Sequence, residues 1–157
     1  MSVEYDIKRG RVYAEGNECL RYKISVPVIN GAERINEFYK RISEECESFC
    51  RTRLCQCLEN TKGERLFYEL LCRVCHEDEE LVSILTRVRL LKGGTEFESY
   101  VRALNWSVTE GCMLPPKLLL RKYTKKGKSR FKDDDGIFLY KGELKSLKDT
   151  CIDIFFK

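Results

Sequence analysis

Between Arg21 and Val26 polar and apolar side chains alternate (Arg-Tyr-Lys-Ile-Ser-Val), the period of a strand with one buried face. Val3 to Tyr13 and Cys19 to Val28 read as two strands around a turn at Glu15-Gly16-Asn17, and Pro27 with Asn30-Gly31 ends the extended segment. From Ala32 to about Glu59 the period becomes helical, with Ile35, Tyr39, Ile42, Cys46, Phe49, Cys50 and Cys57 recurring at three- and four-residue steps. Counted from Ile35 at about 100° per residue, Cys46, Cys57 and Cys50 fall near ~20°, ~40° and ~60°, on the apolar stripe, and Cys55 falls opposite, near ~200°. Lys62-Gly63 supplies a C-terminal stop.

Leu66 to His76, Leu81 to Leu91 and Glu98 to Val108 then read as an antiparallel meander. Pairing residue 72 with 84 and 70 with 86 puts the apolar even positions of the first two on one face and Glu69 opposite Arg87 on the other. Gly93-Gly94 breaks the chain before the third strand, and Thr109-Glu110-Gly111 turns it into a short helix begun by Pro115-Pro116. Lys122 to Lys132 is a basic loop. Gly136 to Lys141 and Cys151 to Phe156 read as closing strands, with a turn of helix over Leu144 to Asp149. Trp106 shares strand parity with Tyr100, Leu104 and Val108, which makes it a core residue rather than a ligand platform. The expected fold class is α+β: a mainly antiparallel sheet with one long helix packed on a face and a short second helix, in a single domain spanning residues 1–157.

Composition narrows the class without naming a function. The chain has 157 residues, 43% hydrophobic and 34% charged, which fits a globular domain with one core. A net charge of +4 implies no nucleic-acid partner by itself. The opening MSVEYDIKRGRVY lacks the apolar region of a signal peptide, and no apolar run approaches the ~18 residues of a membrane span. With nine cysteines, an odd count, the expectation is a cytoplasmic protein with reduced thiols rather than a disulfide framework.

Four groups of residues carry candidate chemistry. Cys72-Arg73-Val74-Cys75-His76 matches the haem-attachment pattern CxxCH, but on a strand Cys72 and Cys75 point to opposite faces. Cys55, Cys57, Cys72, Cys75 and His76 contain enough ligands for a tetrahedral zinc site, while Cys46, Cys50 and Cys57 also suit a core stripe as buried thiols. A nucleophilic cysteine would need His76, the one histidine, as its base, and Glu77 to Glu80 beside it would raise a thiol pKa. Asp133-Asp134-Asp135-Gly136 reads as a turn and lacks calcium-loop spacing. Finally, eight basic residues and no acid lie between Lys117 and Lys132: Lys117, Arg121, Lys122, Lys125, Lys126, Lys128, Arg130 and Lys132. Tyr123 and Phe131 among them make a phosphate-backbone surface with stacking rings conceivable, against the commoner reading of a solvated charge run.

Tyr22 to Pro27, Ile35-Asn36-Glu37-Phe38-Tyr39, Gly93-Gly94, Asn105-Trp106-Ser107-Val108-Thr109-Glu110-Gly111-Cys112-Met113-Leu114-Pro115 and Asp135 to Tyr140 stand in this order along the chain. Together these short stretches resemble a bacterial domain-of-unknown-function family found in lysozyme-sensing anti-sigma factors and beside peptidoglycan deacetylase domains. The chain departs from the family pattern at Thr95-Glu96, where the family has Ala-His, and at Ser107, where it has Asp. The resemblance implies a non-catalytic recognition or sensing module of unknown ligand. The expected partner is another protein, and no cofactor and no membrane association are expected. Nucleic-acid binding through residues 117–132 and a zinc-stabilised structural protein are the alternative readings.

Overall fold

The structure is a computed structural model and describes residues 2–54, 64–124, 131–132 and 136–156. Strands β1 (Val3–Ala14) and β2 (Asn17–Ile29) form the first hairpin. Helix α1 (Glu33–Phe49) runs on into a π-helical turn at Cys50–Leu54. Strands β3 (Leu66–Glu77), β4 (Leu81–Lys92) and β5 (Thr95–Ser107) form the expected meander, and the two-residue β6 (Cys112–Met113) follows. Helix α2 (Pro116–Tyr123) starts at the Pro-Pro pair, as its sequence predicts. A hairpin of β7 (Ile137–Tyr140) and β8 (Glu143–Ser146) and a 3-10 turn at Ile152–Phe155 complete the described chain.

The six strands β1 to β6 lie side by side in chain order. Every pairing is antiparallel except β2 with β3, which is parallel because α1 carries the chain back to the starting end of the sheet. Alternation decides what α1 covers. Leu20, Tyr22, Ile24 and Val26 of β2, Leu70 and Cys72 of β3, and Val82 and Ile84 of β4 are buried in one cluster with Ile35, Tyr39 and Cys50. At its centre Trp106 Nε1 donates to Tyr39 Oη at 3.1 Å, and the rings of Phe38 and Tyr39 meet the indole edge-on, with centroids at 4.8 and 5.9 Å. Asn36 locks α1 to the end of β2, its side chain accepting from Ile29 N and donating to Ile29 O, both at 2.7 Å.

On the opposite face the described second layer lies over β3 to β5, and Ser25 of β2 is buried there beneath the Arg73 side chain. Leu71 and Leu85 pack there against Phe138 and Phe156, and Leu81 packs against Ile137, Leu139 and Leu119 of α2. Two buried polar side chains dock this layer. Ser83 Oγ donates to Asn105 Oδ1 at 2.5 Å and accepts from Leu139 N at 3.0 Å, while Asn105 Nδ2 donates to Ile137 O at 2.9 Å. Backbone groups of β7 that would otherwise be buried without partners are thereby satisfied. At the rim, Glu69 accepts from Arg87 (3.2 Å) and Arg89 (2.9 Å), and the Arg87 guanidinium lies 4.5 Å from the centroid of Phe156.

Four expectations are corrected. The helix stripe holds at Ile35, Tyr39 and Cys50, but Phe49 is 40% exposed, and the wider π turn that follows brings Leu54 to the buried side. Residues 55–59 of the expected helix lie outside the described residues. The β3–β4 register is Cys72 with Thr86 and Leu70 with Val88, two residues from the expected pairing. The reversal is fixed by Asp78, whose carboxylate accepts from the amides of Glu80 and Leu81, and by a bulge between Val74 and His76. A shift of two preserves parity, so the apolar faces stay correct and Glu69 meets Arg89 directly and Arg87 diagonally. At the C terminus, Glu143–Ser146 is a strand and Ile152–Phe155 a 3-10 turn. Lys141 and Gly142 both have positive φ, 51° and 76°, and form a two-residue hairpin loop between β7 and β8.

Replacing Ser83 by Ala removes a donor to Asn105 and the acceptor of Leu139 N from a fully buried site. Urea denaturation is expected to show a loss of about 1–3 kcal/mol, with faster hydrogen exchange at the Leu139 amide. Unchanged stability would show that the second layer does not depend on this pair.

Candidate functional site

Because the described second layer stops at β3, no described layer lies against one face of the β1–β2 hairpin. None of the buried or packed residues of that layer comes from β1 or β2. Tyr5, Ile7, Arg9 and Arg11 alternate onto this face. The intervening Gly10 lies against the ring of Tyr22 on the helix side, where a Cβ would collide with it.

The register brings cations face to face. Arg9 is directly opposite Lys23, and Arg11 is directly opposite Arg21. Like charges in these positions destabilise a sheet. Glu18 offsets part of the charge: Arg21 donates to both of its carboxylate oxygens, and Arg11 Nε and Arg65 Nη1 lie at 3.7 and 3.9 Å. The hydrogen bond from Arg21 holds the Glu18 carboxyl below the usual carboxylate range. Arg9 and Lys23 form no ion pair among the described residues. Glu69, the β3 neighbour of Lys23 in the register, is taken by Arg87 and Arg89. With Phe67, the four cations line an open hollow of about 400 Å³. Towards the other end of the same face, the Arg73 guanidinium sits 5.0 Å from the centroid of Tyr5 and donates to Ser25 Oγ at 3.3 Å.

β1 is also the outermost strand of the sheet. Asn30 N donates to Ser2 O at 3.0 Å, so the even residues of β1 turn their backbone groups towards β2. The N–H and C=O groups of Tyr5, Ile7, Arg9 and Arg11 point outward by the same alternation, and no described backbone group pairs with them. At the other edge of the sheet, β6 pairs only with Trp106 and Ser107. A groove of about 750 Å³ there runs along Val101 to Asn105 beside Met113, Leu114 and Pro115.

Those residues singled out from sequence that the structure describes do not gather into one site. Lys117 and Arg121 are exposed on α2. Lys122 is ion-paired with Glu80, which raises its pKa. Lys132 is exposed, whereas Lys125, Lys126, Lys128 and Arg130 lie outside the described residues, as do Cys55 and Cys57. Cys72 and Cys75 pack on opposite faces of the sheet, Cys72 beside Thr86 under α1 and Cys75 in the second layer, where it donates to Ser83 O. The two thiols therefore do not share a metal. No group of three or more potential ligands converges among the described residues. His76 Nε2 lies 2.8 Å from Asp78 Oδ2 in the β3–β4 turn. Burial raises the Asp78 pKa, but this contact and the Leu81 and Glu80 amides outweigh it and leave Asp78 low. Trp106 is 4% exposed, a core residue as expected. The cation pairs of the first hairpin went unnoticed in the sequence, although once the turn at Glu15-Gly16-Asn17 is read, Arg9, Arg11, Arg21 and Lys23 fall on one face.

This arrangement of a helix-backed, mainly antiparallel sheet is shared with a solved protein of the DUF3298 family. A crystal structure of a DUF3298 family protein from Pseudomonas aeruginosa PAO1 is similar with a TM-score of 0.50 at 16% identity, over 74% of this chain and 56% of that one. A family member from Bacteroides fragilis NCTC 9343 is similar with a TM-score of 0.45 at 12% identity, over 82% of this chain and 71% of that one. At 16% identity the likeness to the Pseudomonas protein is one of fold, and this chain spans little more than half of that protein. No family model and no curated protein matches the sequence. No helix among the described residues is long and apolar enough to cross a membrane.

Burial pushes the thiols of Cys50, Cys72 and Cys75 up to about 12. Alkylation with iodoacetamide at pH 8 is expected to label the exposed Cys112 and Cys151 in the folded protein and to reach those three only on unfolding. An unfolded-chain thiol ionises near pH 8.5, so the stability gained by keeping the three neutral is complete below about pH 8.5. It falls as pH rises towards 12, by about 1.4 kcal/mol per pH unit per thiol. Peptide mapping that finds Cys72 labelled at the rate of a free thiol would contradict its burial.

Proposed function

We propose that this protein is a non-catalytic recognition module that takes an extended segment of another protein onto an open edge of its sheet. The observation that carries the reading is the twelve-residue outermost strand β1, whose outward N–H and C=O groups have no described partner and whose second face no described layer covers. Such an edge supplies main-chain hydrogen bonds to an added strand, while side chains on the open face supply selectivity. The resemblance to the domain of lysozyme-sensing anti-sigma factors supports recognition in preference to turnover. The exposed Lys117 and Arg121 on α2 favour a second reading, nucleic-acid binding through residues 117–132, which predicts steep weakening with salt.

Ile7→Pro separates fold from function. The Ile7 N–H points away from β2, so proline there costs no hydrogen bond of the sheet and is compatible with an edge strand. The expected outcome is an unchanged circular dichroism spectrum with loss of binding to peptides selected on the wild-type protein from a random display library. A library that yields no β1-dependent peptide, or a folded Ile7→Pro variant that keeps full binding, would overturn the proposal.

A further inference from the structure

We infer that the segment received by β1 is acidic, with carboxylates at alternate positions opposite Arg9 and Arg11 and an apolar side chain opposite Ile7. The inference rests on the edge-binding reading above and adds the chemistry of the partner. An added strand places every second side chain on the open face, directly beside Arg9 and Arg11, whose own neighbours on β2 are Lys23 and Arg21. An antiparallel partner then reads acid-x-acid-x-apolar, because Ile7, two residues before Arg9 on the same face, is 49% exposed.

Edge protection alone does not account for the charges. Lysine or arginine on an edge strand guards against aggregation. Lys23 and Arg21, however, sit on the second strand, where an acid would have stabilised the hairpin in cross-strand pairs with Arg9 and Arg11. Among the described residues four cations surround the Phe67 hollow, and the carboxylate they share is Glu18, held by Arg11, Arg21 and Arg65, while Glu69 beside Lys23 is held by Arg87 and Arg89. A partner bringing two carboxylates replaces cation–cation neighbours by ion pairs. The same charges disfavour self-pairing of β1 in the registers that set Arg9 opposite Arg9 or Arg11, where an acidic strand instead gains ion pairs.

Labelled peptides of the forms TETETVT, TQTQTVT and TKTKTVT, titrated against the full chain by fluorescence anisotropy at low salt, test the inference. The acidic peptide is expected to bind at least about tenfold more tightly than the glutamine peptide, with the advantage shrinking as salt rises. The double variant Arg9→Glu, Lys23→Glu is expected to prefer the lysine peptide. Arg9→Gln with Lys23→Gln, which creates no new repulsion, is expected to erase the acidic preference. Equal binding of all three peptides by the wild type would overturn the inference and leave the edge reading standing. A labelled oligothymidylate that binds, is lost on charge reversal and outcompetes the acidic peptide would assign the hollow to nucleic acid and overturn the inference. Absence of binding by any of these peptides, together with a display library that yields none, would overturn both the inference and the reading it rests on.

Discussion

Ser83 and Asn105 determine how much of the sheet has a second layer. Both are buried on the face away from α1, and between them they satisfy backbone groups at Leu139 and Ile137 as well as each other. A polar pair buried in this way is costly unless completed, so β7 is held at one place over β3, β4 and β5. Leu71, Leu85, Phe138 and Phe156 close around that anchor, and Arg87, between Glu69 and Phe156, marks its rim. β1 and β2 lie beyond the reach of the layer. Their open face is a consequence of where the anchor sits, and the cation pairs lie on that face.

The short stretches that resemble the bacterial domain family prove to be the residues that join the layers. Asn36 ties α1 to β2, Phe38 and Tyr39 meet Trp106 edge-on, and Asn105 docks β7. Ser107, where the family has Asp, still accepts a hydrogen bond from Glu110 N in the turn before β6. These positions hold the fold. They say little about ligands, which agrees with a similarity to DUF3298 structures that is one of architecture at 16% identity.

Much of the fold was legible because alternation and helical period report burial directly: β1 to β5, α2 and the described part of α1 lie within a few residues of where the pattern puts them. What periodicity leaves open is anything set by a turn. The β3–β4 register depends on Asp78 and a bulge, and a shift of two leaves the apolar pattern unchanged. The Lys141-Gly142 loop required a positive φ at a lysine, which composition does not announce. The π turn after Phe49 alters the phase of the helix without altering its apolar content. The site was less legible than the fold. The conspicuous cations, Lys117 to Lys132, are adjacent in sequence, whereas Arg9, Arg11, Arg21 and Lys23 become one patch only when two strands pair.

Residue-resolved amide hydrogen exchange of the full chain in isolation tests the open edge most directly. If β1 is free on its outer side, the amides of Ile7, Arg9 and Arg11 exchange quickly while those of Asp6, Lys8 and Gly10, turned towards β2, are protected. Equal protection of both sets would mean that the outer edge is already occupied, and the account of this chain as a receiver of an added strand on β1 would fail.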